Sequence, residues 1–131
     1  MKLTQTNVNP LVIVKRMLAV SLLALFSQLA MADAASTVAG IVAEINHFPS
    51  DAHKEQLMAI TNDTANSEAV RTIAMAVHDM QHSVSDEHRA ALQAIAADSA
   101  ASQHERDLAQ IVAGFNHMAS DADKERLAAI Q

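Results

Sequence analysis

The chain of 131 residues has no cysteine, tryptophan or tyrosine, and only three phenylalanines, two glycines and two prolines. Without cysteine there is no disulfide framework, no thiolate metal site, no cysteine nucleophile and no lipoprotein acylation site. So few aromatic and turn residues argue against a β-sandwich or barrel, which needs β-branched runs and frequent Gly- or Pro-based turns. Half of the residues are apolar, and much of that half is alanine, the strongest helix former. The composition predicts a small all-α protein.

The acidic residues are unevenly placed. All fifteen lie from Asp33 onward, together with six of the nine basic residues, so residues 33–131 carry a net charge of −9 with histidine neutral. There is no basic patch or basic helix, which makes nucleic acid and anionic membrane surfaces poor partners. Lys2, Lys15 and Arg16 precede an uncharged, mostly apolar run from Met17 to Leu29, followed by Ala30-Met31-Ala32 and then Asp33. This is the pattern of a secretory signal peptide with a small-x-small cleavage site. The run falls short of the roughly 20 residues that span a bilayer. The expectation is export, to a bacterial periplasm or the exterior, with residues 1–32 removed and no stable membrane insertion afterwards.

From residue 33 the chain is repetitive. His47-Phe48-Pro49-Ser50-Asp51 returns as His82-Ser83-Val84-Ser85-Asp86 and as His117-Met118-Ala119-Ser120-Asp121, 35 residues apart each time. Eight positions are identical in all three copies, those of Ala39, Val42, His47, Ser50, Asp51, Leu57, Ala59 and Ile60. Three units follow: 33–66, 67–101 and 102–131. In the first half of each, apolar residues recur at helical spacing: Val38, Ile41, Val42 and Ile45; Ile73, Ala76, Val77 and Met80; Leu108, Ile111, Val112 and Phe115. Ser50, Ser85 and Ser120 are natural N-caps for a second helix. Asp51, Asp86 and Asp121 suit the positive end of its dipole. Ser102 and Glu105 spell a capping box. Each unit therefore predicts a helix, a corner and a second helix that ends in a polar stretch such as Thr61-Asn62-Asp63. One such hairpin cannot bury its own apolar stripe, so the units must stack or close into a bundle. The near-invariant spacing favours regular stacking. The period resembles that of tetratricopeptide arrays, but the Trp…Leu-Gly…Tyr pattern of that family is absent, and the chain is not assigned to it.

Of the three shared polar residues, capping accounts for the serine and dipole matching for the aspartate. The histidine is left over. On a regular helix it falls about half a turn away from the apolar stripe, at an exposed C-terminal end. A structural role there is to cap free carbonyls or to bond the aspartate four residues on. A functional role is metal binding, with Zn or Cu as candidate ions. His78 and His82 stand four apart, a spacing that chelates one ion when both lie on one helix. A stacked array would set His47, His82 and His117 about 10 Å or more apart, and only a closed arrangement would bring them to one ion. Catalysis is disfavoured: His, Ser and Asp lie within five residues, the serine is a cap, and no Gly-rich loop is present. The sequence thus points to a non-enzymatic helical module that binds a protein, a peptide or another copy of itself. The alternative is a periplasmic metal-binding or metal-buffering protein.

Overall fold

The structure, a computed structural model, describes residues 34–131. The expected signal peptide, residues 1–32, lies outside the described residues. Six helices and no strand make up what is described: α1 (34–44), α2 (Asp51–Asn62), α3 (Glu68–His78), α4 (Asp86–Ala97), α5 (Gln103–Ala113) and α6 (Asp121–Ala128).

The helices begin where short hydroxyls can receive amides. Ser50, Ser85 and Ser120 accept from the amides of His53, His88 and Asp123. Ser67 and Ser102 do the same for α3 and α5, and the Ser102–Glu105 capping box forms in both directions. α2 and α4 stop at Asp63 and Asp98, whose carboxylates then accept from the amides of Ala65 and Ala100 and turn the chain into the next helix.

Two kinds of helix alternate. α3 and α5 each carry five buried residues, whereas α2, α4 and α6 each carry one, the fully buried Leu57, Leu92 and Leu127. All twelve residues of the three apolar stripes are buried. The odd-numbered helices supply the core, and each even-numbered helix is anchored to it by a leucine, with Ile60, Ile95 and Ile130 packed beside it.

The pairs that pack most closely are α2 with α3 and α4 with α5, joined by the polar turns at 63–67 and 98–102. The hairpin expected across the His-x-x-Ser-Asp corner is the weaker contact in the second and third units. The reason is local. The corner holds two helix ends apart with a six- to seven-residue extended link, whereas the Asp-led turns fold the chain straight back. α6 has no following helix, and the Gln131 side-chain amide lies beside Gly40 of α1. The last segment thus meets the first.

Regular stacking is therefore not what forms; the units close. The His82 amide donates to the His47 carbonyl (2.8 Å), the His117 amide to the His82 carbonyl (2.6 Å), and the His47 amide to the His117 carbonyl (2.6 Å). The last bond joins the third unit to the first. An open stack would leave its two end faces wet, which closure of the units avoids.

One departure from the three-fold pattern is Glu105, the only buried charged residue among those described. Its counterparts are Ala35 and Val70. It accepts from the Ser102 amide (2.8 Å) and from the Ser67 hydroxyl, tying the starts of α3 and α5 together. Glu105→Ala should cost about 1–2 kcal/mol in urea denaturation, while Glu125→Ala, on an exposed site, should stay within about 0.5 kcal/mol.

Candidate functional site

The closure brings His47, His82 and His117 to one place. None is on a helix: α3 ends at His78 and α5 at Ala113, so each histidine follows in the link. All three have positive φ, 78° at His47, 67° at His82 and 64° at His117, and no other described non-glycine residue does. At His82 and His117 the flanking residues bond across, Ser83 amide to Gln81 carbonyl and Met118 amide to Asn116 carbonyl, each 2.7 Å. A bond from residue i+2 to residue i around a central residue with φ near +75° is the rare, strained γ-turn. Asn46 and Phe48 pair in the same way around His47.

The strain argues about the side chain. Positive φ is normally left to glycine or asparagine, and costs other residues about 1–2 kcal/mol. The two glycines of this chain sit elsewhere, neither at positive φ. Histidine fills all three strained positions.

The rings form a compact cluster. Centroids are 5.4 Å apart for His47 and His82, 5.3 Å for His47 and His117, and 5.0 Å for His82 and His117, with interplanar angles of 90°, 86° and 79°. This is edge-to-face packing around an axis. All three residues are exposed, so ring packing removes little apolar surface from water and gives a weak return on the backbone strain. Ile45, Met80 and Phe115, each two residues before a histidine, are buried. Phe48 and Met118 directly follow His47 and His117. They are the large apolar side chains that stay exposed among the described residues, at 60% and 50%.

The tautomer is set at two of the rings. Nδ1 of His47 lies 2.6 Å from Asn46 Oδ1, and Nδ1 of His117 lies 2.6 Å from Asn116 Oδ1. An amide oxygen only accepts, so Nδ1 carries the proton and the neutral ring has its lone pair on Nε2. Gln81 takes the same place before His82. As the rings stand, no three His, Asp or Glu side chains among the described residues surround a common ion position.

The i, i+4 pair expected on one helix does not form, because α3 stops at His78 and His82 turns to the axis. His78 joins a separate group, in which its Nδ1 meets Asp79 (2.7 Å) and His88 Nε2 meets the other oxygen of Asp79 (3.2 Å). The hydrogen bond from His78 holds the Asp79 carboxyl below its usual range, against a partial upward push from burial, with His88 adding to the lowering. In the first unit His53 meets Glu44 at 3.3 Å. These contacts tie the end of one helix to the first turn of the next. The third unit has Gly114 and Asp123 at the matching positions and lacks the contact. That exchange of partners was visible in the aligned sequence, with acid and histidine present together twice and absent together once.

The corner serines and aspartates do what was expected of them. Ser50, Ser85 and Ser120 accept amides, and Asp51, Asp86 and Asp121 open α2, α4 and α6. The histidine caps no helix carbonyl with its ring and does not bond the aspartate four residues on; its ring partner, where one forms, is the preceding asparagine. Asn46 and Asn116 were missed from sequence because a polar residue next to a loop histidine carries no periodic signal. Known protein families, curated proteins and solved structures were each compared with the chain, and none matches.

Strain and side chain are separable by substitution. His82→Gly and His82→Ala both delete the ring, but only glycine relieves the backbone. The glycine variant should be the more stable of the two by about 1 kcal/mol in denaturant unfolding; equal stabilities would mean that position 82 is unstrained.

Proposed function

We propose that this domain binds a divalent transition metal, zinc or copper, through Nε2 of His47, His82 and His117. The observation that carries the reading is the joining of three exposed histidine rings, one from each unit, at strained positions where glycine would serve the backbone better.

The spacing suits the chemistry. Three imidazoles on a tetrahedral ion, with metal–nitrogen bonds of about 2.0–2.1 Å, put their ring centroids about 5.2 Å apart. The observed separations of 5.0 to 5.4 Å bracket that value. The rings have the right positions but face one another edge to face, so binding requires each to turn toward the axis. Exposed side chains exchange rotamers on the picosecond to nanosecond scale. Asn46 and Asn116 offer the Nδ1 proton of His47 and His117 an oxygen acceptor, the kind of partner that sets the tautomer of a metal-bound histidine. An acidic chain, −6 over its full length, attracts cations and weakly supports the reading.

Metal on the axis would clamp the three units across the seam where the chain closes. In the exported setting that residues 1–32 predict, such a domain would sequester, buffer or carry metal. The reading is one of binding rather than catalysis; the corner hydroxyls are committed to helix amides. A second copy or a peptide partner remains the competing reading, favoured by Phe48 and Met118 beside the cluster.

Thermal unfolding with and without zinc or copper tests the proposal. At about 100 times the dissociation constant the metal should add about 2.7 kcal/mol, roughly 10 °C or more for a domain of this size. His82→Ala should remove the gain and His78→Ala should keep it. A melting curve that metal leaves unchanged contradicts the proposal, and loss of the gain in His78→Ala would return the site to the His78–His82 pair.

A further inference from the structure

We propose that Asp79, His78 and His88 form a clip across the second corner that tightens as the pH falls from about 8 to about 5, the range in which histidine takes its charge. None of the three belongs to the His47–His82–His117 cluster, so the clip is independent of the metal reading.

Asp79 is the C-cap of α3, and His88 lies in the first turn of α4. The link between them carries His82. The two carboxylate oxygens of Asp79 are divided between the rings, Oδ1 with His78 Nδ1 at 2.7 Å and Oδ2 with His88 Nε2 at 3.2 Å. A carboxylate only accepts, so each of these nitrogens carries a proton even when its ring is neutral. The second proton of each ring therefore goes to the far nitrogen, Nε2 of His78 and Nδ1 of His88. Neither is a buried atom without a partner. Once those protons arrive, both hydrogen bonds become ion pairs to one carboxylate. The first corner differs. His53 Nε2 meets Glu44 at 3.3 Å, but its Nδ1 is buried and unpartnered, so a second proton there would find no acceptor. The third corner has Gly114 and Asp123 at the matching positions.

Asp79 stays charged throughout this range. The hydrogen bond from His78 holds its carboxyl below the usual value of 3.8, burial opposes that, and His88 adds to the lowering. A carboxyl lowered in this way contributes stability above its ordinary value and loses it only as the pH falls through the lowered one. The imidazole charge is absent at the alkaline end and present at the acid end, so the clip gains strength in mild acid until Asp79 itself is protonated. The other charged groups at this corner largely offset one another. Glu68 and Arg71 of α3 line one groove with His88 and with Thr61 of α2, whose carbonyl accepts from Arg71. On α4, Asp86 pairs with Arg89 at 3.0 Å, Glu87 is exposed, and Arg89 also donates to the Ala113 carbonyl of α5.

Urea unfolding of the metal-free full chain at about pH 5.5 and about pH 8, with and without Asp79→Asn, tests the clip. Asparagine keeps an acceptor oxygen and removes the charge. The ratio of folding constants, unsubstituted over variant, should be about threefold or more higher at the acid pH, as two partly exposed ion pairs would give, and the difference should shrink in 1 M salt. His88→Gln, which removes one pair, should show the same trend more weakly. Amide exchange then locates the effect. At the acid pH Asp79→Asn should lower protection at residues 81–84 and leave residues 116–119 unmoved. A ratio that is equal at the two pH values, or larger at the alkaline one, overturns the proposal, because a purely structural hydrogen bond is lost equally at both. Protection lost to the same extent in both links overturns the assignment to the second corner.

Discussion

Three backbone amides, each donating to the carbonyl of the preceding histidine in the ring, turn a tandem chain into a closed one. Everything else in the described structure is compatible with that closure or required by it. The link before each N-cap has to leave the helix early, so α1, α3 and α5 stop three or four residues short of the histidine. The histidine has to take positive φ so that its amide and carbonyl face its two counterparts. α2 and α4 then fold back along the following odd-numbered helix, while α6, the last, meets α5.

Magnitudes show that the ring is not a large source of stability. A net hydrogen bond contributes about 0.5–1.5 kcal/mol, and a residue in a sparsely populated backbone region costs about 1–3 kcal/mol. Three such bonds at most offset the strain of three such residues. The stability comes from burial of the three apolar stripes and of Leu57, Leu92 and Leu127. What the ring adds is specification, by choosing the closed arrangement over an open stack of the same helices. The histidine rings are surplus to that task, since the hydrogen bonds are made by the backbone. A position that needs only the backbone would be better served by glycine, and this mismatch supports a role for the side chains.

The helices, the N-caps at Ser50, Ser85 and Ser120, the capping box at Ser102 and all twelve core stripe positions were legible in the sequence, because periodicity and capping are local; the cap at Ser67 was not picked out. The polar turns were legible too, from Asp63 and Asp98. The choice of packing partners was not. An apolar stripe says that a helix is covered and not by which neighbour, and both open and closed arrangements bury it. Nor was the conformation of the corner histidine legible. Treating the helix as regular through His47 and His82 placed those side chains on a helix face, whereas the helix had already ended. The same assumption produced the His78–His82 pair, which the structure divides between two groups. The joining of His47, His82 and His117 was conditional on closure, and closure depends on a contact between residues 70 apart in the chain.

Amide hydrogen exchange at the three histidines tests the closure most directly, because the protecting bonds join different units and exist only when the ring is shut. The amides of His47, His82 and His117 should be protected together, with one common opening free energy well above that of the exposed turns at 63–67 and 98–102. An open stack would leave the His47 amide, whose acceptor is the His117 carbonyl, exchanging as fast as an exposed loop amide, and that result would contradict the closed architecture and the site built on it.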